Sequence, residues 1–190
     1  ASGFWGALKL PKNNPIEVLQ MKFYKRILGV QKQTTNNGVL LELGQIPDTI
    51  TAIKNAIKNW TKISNTPDHK SLVSSSYQYN ITENLSWSKQ IKNLLSSNGM
   101  LDQYQTNDTN THNNIFQRLS DNFHQSALSQ IENDSSKLST YSHLKTSSGY
   151  ETYLDEVKNT KHRISQTKLR LSNHSLMIEK GRHLKIEKNL

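Results

Sequence analysis

Apolar residues along this 190-residue chain recur every third or fourth position and nowhere alternate over a sustained stretch, a periodicity that admits helices and excludes half-buried strands. The first clear segment shows how much a few residues specify. Asn14 precedes Pro15 and Glu17: a capping side chain, a proline whose missing N–H is harmless at the first helical position, and an acid against the positive end of the helix dipole. The predicted helix runs from Pro15 to about Leu28 and stops at Gly29. Ile16, Leu19, Phe23 and Ile27 form its apolar stripe, expected to face the core, with Lys22, Lys25 and Arg26 largely outside it.

The same signals repeat downstream. A short helix is expected over 37–43, stopped by Gly44, and another near Pro47 with Asp48 in its first turn and Ile50, Ile53, Ile57 and Trp60 as its core stripe. Leu72, Val73, Tyr77 and Ile81 predict a fourth helix; Trp87, Ile91, Leu94 and Leu95 predict a fifth, closed by Gly99. Residues 102–114 are almost devoid of apolar side chains and of any period, the pattern of a linker. Ile115, Leu119, Phe123, Ala127 and Ile131 resume helical spacing, and shorter helical stretches follow around 138–145, 151–158 and 162–171. The expected fold class is all-α: an irregular helical bundle in two subdomains, 1–101 and 115–190, joined by the polar linker 102–114.

Composition narrows the function classes. With no cysteine, disulfides and thiolate metal sites are excluded. No apolar run approaches the roughly 18–20 residues that span a bilayer, so the chain is expected to be non-membrane and intracellular. The net charge of +9 sits at the ends: residues 1–32 hold six Lys and Arg against one Glu, and residues 158–190 hold nine against two acids. Clustered cations of this kind suit a polyanion, because each phosphate neutralised releases condensed counterions; a merely solubilising lysine-rich surface has the same composition.

Catalytic patterns are sparse. Tyr153-Leu154-Asp155-Glu156 pairs two acids beside an aromatic, as two-metal polymerases do, but it lies in a helical pattern whose buried face is Tyr150, Tyr153, Leu154 and Val157, which leaves Asp155 and Glu156 on the surface. His124, His174 and His183 lack the spacing that puts two zinc ligands on one helix face and are expected to pack or hydrogen-bond. No glycine-rich phosphate loop or nucleophile–histidine–acid set can be assembled. No catalytic residue, metal, cofactor or small-molecule substrate is therefore expected. The expected partner is an RNA or DNA backbone, and the candidate phosphate contacts are Lys22, Lys25, Arg26, Lys32, Arg163, Lys168, Arg170 and Arg182, with Trp60 and Trp87 structural. The competing expectation is a helical interaction protein, or an element remnant without selected activity.

With these segments in view, the chain resembles a known family. Phe4-Trp5-Gly6, Pro11-Lys12-Asn13-Asn14-Pro15-Ile16-Glu17, Arg26-Ile27-Leu28-Gly29-Val30 and Glu42-Leu43-Gly44-Gln45-Ile46-Pro47 resemble, in order, the stretch after the polymerase palm in non-LTR (LINE-type) retrotransposon reverse transcriptases. Phe116-Gln117-Arg118-Leu119-Ser120-Asp121, Ser136-Lys137-Leu138, Thr140-Tyr141, Arg170-Leu171-Ser172-Asn173-His174 and Gly181-Arg182-His183 continue the likeness. It departs at Gly3, Gln45, Asp48, Ser139 and Leu144, where other residues are common in the family. The resemblance implies the thumb and helical linker of an RNA-directed DNA polymerase, a non-catalytic fragment without the palm aspartates or the endonuclease domain, that contacts template RNA or target DNA.

Overall fold

A computed structural model describes residues 14–66, 72–83, 86–133, 138–145 and 147–173. Among them the chain is all-α, with ten helices and no strand: α1 Pro15–Leu28, α2 Asn36–Glu42, α3 Asp48–Ser64, α4 Leu72–Thr82, α5 Ser86–Ser97, α6 Leu101–Thr106, α7 Thr111–Asn133, α8 Ser139–Leu144, α9 Tyr153–Glu156 and α10 Thr160–Arg170. The start of α1 is built as its sequence specifies, the Asn14 carboxamide oxygen accepting from the N–H groups of Ile16 (3.0 Å) and Glu17 (3.1 Å). Its end falls at Gly29, whose φ of 66° is the left-handed conformation that stops a helix.

The described residues divide into two compact units. The first lies within Ala1–Glu17 and Pro47–Asn122, the second within Val18–Ile46 and Phe123–Leu190. In the first, α3, α4, α5 and α6 pack one against the next in chain order. Their shared core is Ile57, Trp60, Tyr77, Trp87, Ile91, Leu95, Met100 and Ile115. The Trp60 indole N–H donates to the Tyr77 hydroxyl at 2.8 Å, so a wholly buried ring leaves no polar atom unsatisfied there. The second unit gathers Leu28, Val39, Leu41, Ala127, Ile131, Leu138, Tyr141, Tyr153, Leu154 and Leu171 from segments far apart in the chain.

This division differs from the one expected from composition. Residues 102–106 and 111–114, expected as linker, lie in α6 and the first turn of α7. The polar stretch folds because one aromatic anchors it: Tyr104 stacks on Trp60 with ring centroids 5.3 Å apart and planes 6° from parallel. The turn between the two helices is held by polar groups: Asn107 is left-handed at φ 51°, its carbonyl accepts from the Asn65 side chain at 2.8 Å, and the Asp108 carboxylate accepts from the Asn110 N–H.

Two apolar stripes also turn outward. On α1 the buried positions are Gln20, Met21 and Leu28, with Tyr24 against the same core, while Leu19, Phe23 and Ile27 are 68%, 59% and 51% exposed. The helix carries apolar residues on two faces, and Met21-Tyr24-Leu28 keeps helical spacing as well as Leu19-Phe23-Ile27 does. Burying the first face also places the Gln20 amide on the Ile46 carbonyl at 2.9 Å. On α4, Leu72, Val73 and Ile81 face solvent and the helix packs through Ser74 and Tyr77.

Candidate nucleic-acid interface

Charge separates the units. The described residues of the first unit hold six Lys and Arg against six Asp and Glu; those of the second hold ten against five. The expected phosphate contacts that fall among the described residues, Lys22, Lys25, Arg26, Lys32, Arg163, Lys168 and Arg170, all lie in the second unit. Arg182 lies outside the described residues, as do His174 and His183.

Their settings are not alike. Lys22 and Arg26 stand one turn apart on the exposed face of α1, and Lys32 is exposed in the segment that follows. Lys25 is half-buried, and its ammonium donates to the Lys32 carbonyl at 2.8 Å. Burial lowers its pKa, since a charged amine loses solvation there. Arg163, on α10, donates from Nη1 to the Leu154 carbonyl at 3.3 Å and keeps the rest of its fork open. Lys168 is half-buried. The short helix α10 that carries these two is capped by Asn159, whose side-chain oxygen accepts from the N–H groups of Lys161 and His162.

Arg170 is spent internally, against the expectation that it contacts phosphate. Its side chain is 12% exposed; Nε lies 2.7 Å from Glu42 Oε1 and Nη2 lies 2.7 Å from Glu151 Oε2. Burial works against its charge, but the hydrogen bond and charge of Glu42, with Glu151, hold it more firmly protonated than usual. Glu42 is wholly buried at the end of α2 and also accepts from the Tyr153 hydroxyl at 2.6 Å. Tyr153 and Thr167 hydroxyls share a further hydrogen bond of 2.7 Å, and Lys145, itself buried, pairs with Glu151 at 2.5 Å. Burial first, and then the Glu42 carboxylate, raises the pKa of Tyr141 and Tyr153 far above the ordinary tyrosine value. The chain segments around Glu42 and around Arg170 thus meet in one ionic cluster. The adjoining Gly44 has φ 58°, and a Cβ there would stand 2.5 Å from the Tyr150 backbone nitrogen, so the turn admits only glycine.

Glu42 is the residue that pattern reading passed over. Its signal was present: it is the one charged residue between 33 and 46, set in an otherwise apolar and neutral stretch.

Beside the open cations the second unit has a cavity of about 230 Å³ lined by Ile27, Leu28, Leu43, Tyr150, Leu154, Asp155, Arg163, Ile164 and Thr167. Its floor is aliphatic; at its edge are the exposed Tyr150 ring, the Asp155 carboxylate, which accepts from the Tyr150 hydroxyl at 3.0 Å, and the Arg163 guanidinium. As expected from the pattern around Tyr153, Asp155 and Glu156 are exposed and Tyr153 and Leu154 are buried; Tyr150, expected inside, is 47% exposed. Among the described residues no group of three or more His, Asp or Glu gathers as metal ligands, and no helix is long and apolar enough to cross a membrane. Compared with protein-family models, with curated proteins and with solved structures, the chain matches none of them.

Proposed function

We propose that the second unit holds the phosphate backbone of an RNA or DNA strand, as part of the thumb and linker region of a LINE-type reverse transcriptase, and supplies no catalytic group. The observation that carries this reading is the uneven use of charge. The ion pairs among the described residues of the second unit use only Lys145 and Arg170. Lys22, Arg26, Lys32, Lys158 and Lys161 stay exposed, and Arg163 is half-open, in a unit with twice as many cations as acids. Cations left in solvent cost little to keep there and gain from counterion release when a polyanion arrives.

The test is a titration of the chain with duplex DNA and structured RNA over a salt series, beside a variant carrying Lys22→Gln, Arg26→Gln, Lys32→Gln and Arg163→Gln. Affinity should fall steeply with salt, and the variant's plot of log affinity against log salt should be shallower by up to about 3.6, since each phosphate contact contributes about 0.7–0.9 to that slope. Absence of binding at low salt would remove the reading. A second reading, docking of a protein partner, draws on the exposed Leu19, Phe23 and Ile27 of α1.

A further inference from the structure

The cavity beside these cations is suited to a particular feature of the anion. We propose that it takes an unpaired base of a single-stranded nucleic acid whose phosphates lie on Arg26 and Arg163, an inference that rests on the phosphate-contact reading above. Three observations converge on that occupant. At about 230 Å³ the cavity is below the size of most ligand pockets, about 300–1,000 Å³, and matches a single ring system. Tyr150, half-exposed at its edge, offers an aromatic face, and base–aromatic stacking is the usual way single strands are held without sequence preference.

The third observation separates a base from an apolar anchor of a protein. Asp155 presents an acceptor and Arg163 a donor to the same space. A leucine or phenylalanine pressed into it would strip water from both and give nothing back. A base edge carries donors and acceptors of its own and can answer both groups. A paired base has that edge occupied and stacked within the duplex, so the cavity selects against double strands. The strand's phosphates supply the negative charge that the surrounding cations call for, which a neutral apolar peptide lacks.

The experiment compares binding of a short fluorescent single-stranded RNA, an abasic strand of equal length and charge, and a blunt duplex, to the full chain and to Ile27→Ala and Tyr150→Ala variants. Both residues are exposed walls, so their truncation should leave the fold in place. The intact strand is expected to bind roughly 5- to 150-fold more tightly than the abasic one, the range of a single base–aromatic stack. Both variants should lose most of that ratio while keeping the salt dependence of wild type. Equal binding of intact and abasic strands would overturn the base pocket and leave the phosphate reading standing. No binding of any of the three would overturn both. Displacement of the RNA by a glutamate-rich peptide bearing one phenylalanine, at lower concentration than by unlabelled RNA, would assign the cavity to a protein segment and overturn the proposal.

Discussion

The first unit packs around aromatic rings, and the second adds a buried ionic cluster to its apolar core. Around Trp60 the first unit packs Tyr77, Trp87 and Tyr104 with aliphatic side chains, from helices that follow one another in the chain. The second unit is built around a carboxylate that meets its partners across 111 and 128 residues of sequence. Apolar packing sets no direction for its contacts, because dispersion and burial are roughly additive and non-directional. A buried carboxylate does: it is stable only while Tyr153 and Arg170 stay in place, and its loss of one partner is costly. The lesson is that a basic unit can add to the fixing power of its apolar core by setting aside two of its cations as internal pins and leaving the others to solvent.

The largest expected effect comes from attacking each centre. Glu42→Gln should destabilise the second unit by about 3–5 kcal/mol, as breaking one side of a buried pair does. Trp60→Ala should cost the first unit about 3–5 kcal/mol by leaving a cavity. In a Trp5→Phe background the two remaining tryptophans, Trp60 and Trp87, both belong to the first unit. Urea unfolding followed by fluorescence and by circular dichroism should therefore come apart: Glu42→Gln lowers the dichroism midpoint ahead of the fluorescence midpoint. Coincident midpoints in that variant would break the comparison.

A smaller and sharper contrast is expected at high pH. Tyr141 and Tyr153 have pKa values raised in the folded chain, so the native state holds their protons more tightly than the unfolded one. Their contribution is complete below the unfolded value of about 10 and is lost as pH rises above it. Burial raises Tyr77 and Tyr104 of the first unit as well, but no carboxylate adds to that effect. An alkaline titration should thus lose the second unit first, and Tyr141→Phe should move that transition to higher pH; an unchanged transition would show that Glu42 does not set it. The smallest effect belongs to a cap: Asn159→Ala removes the acceptor for two N–H groups of α10 and should cost about 1 kcal/mol, visible only in the second unit's midpoint.

Local signals carried most of the helices and little of the site. The cap at Asn14, the stops at Gly29 and Gly44 and the stripe through Ile57 and Trp60 depend on neighbours within a few residues, which sequence displays directly. The outward turn of Leu19, Phe23 and Ile27 was hidden because α1 offers two apolar faces at the same spacing, and tertiary partners chose between them. Residues 102–106 were hidden for the converse reason, a single tyrosine supplying the anchorage that composition lacked. Arg170 and Lys168 look equivalent as letters; only the distant Glu42 and Glu151 take one of them out of solvent. Whether a cation is a pin or a contact is decided by pairing across the chain, and periodicity is silent on that.

The span between Glu42 and Arg170 also has a consequence in time. At about 5–20 residues per second, the ribosome needs roughly 6 to 25 seconds to add the 128 residues that separate the acid from its guanidinium. During that interval the apolar helix around Glu42 waits with its carboxylate uncompensated, while the core of the first unit has all its members once the chain has reached Leu119. Shortening the chain ahead of Arg170 would make that waiting state permanent, so a nested set of truncations should show the second unit appearing abruptly once Arg170 is included.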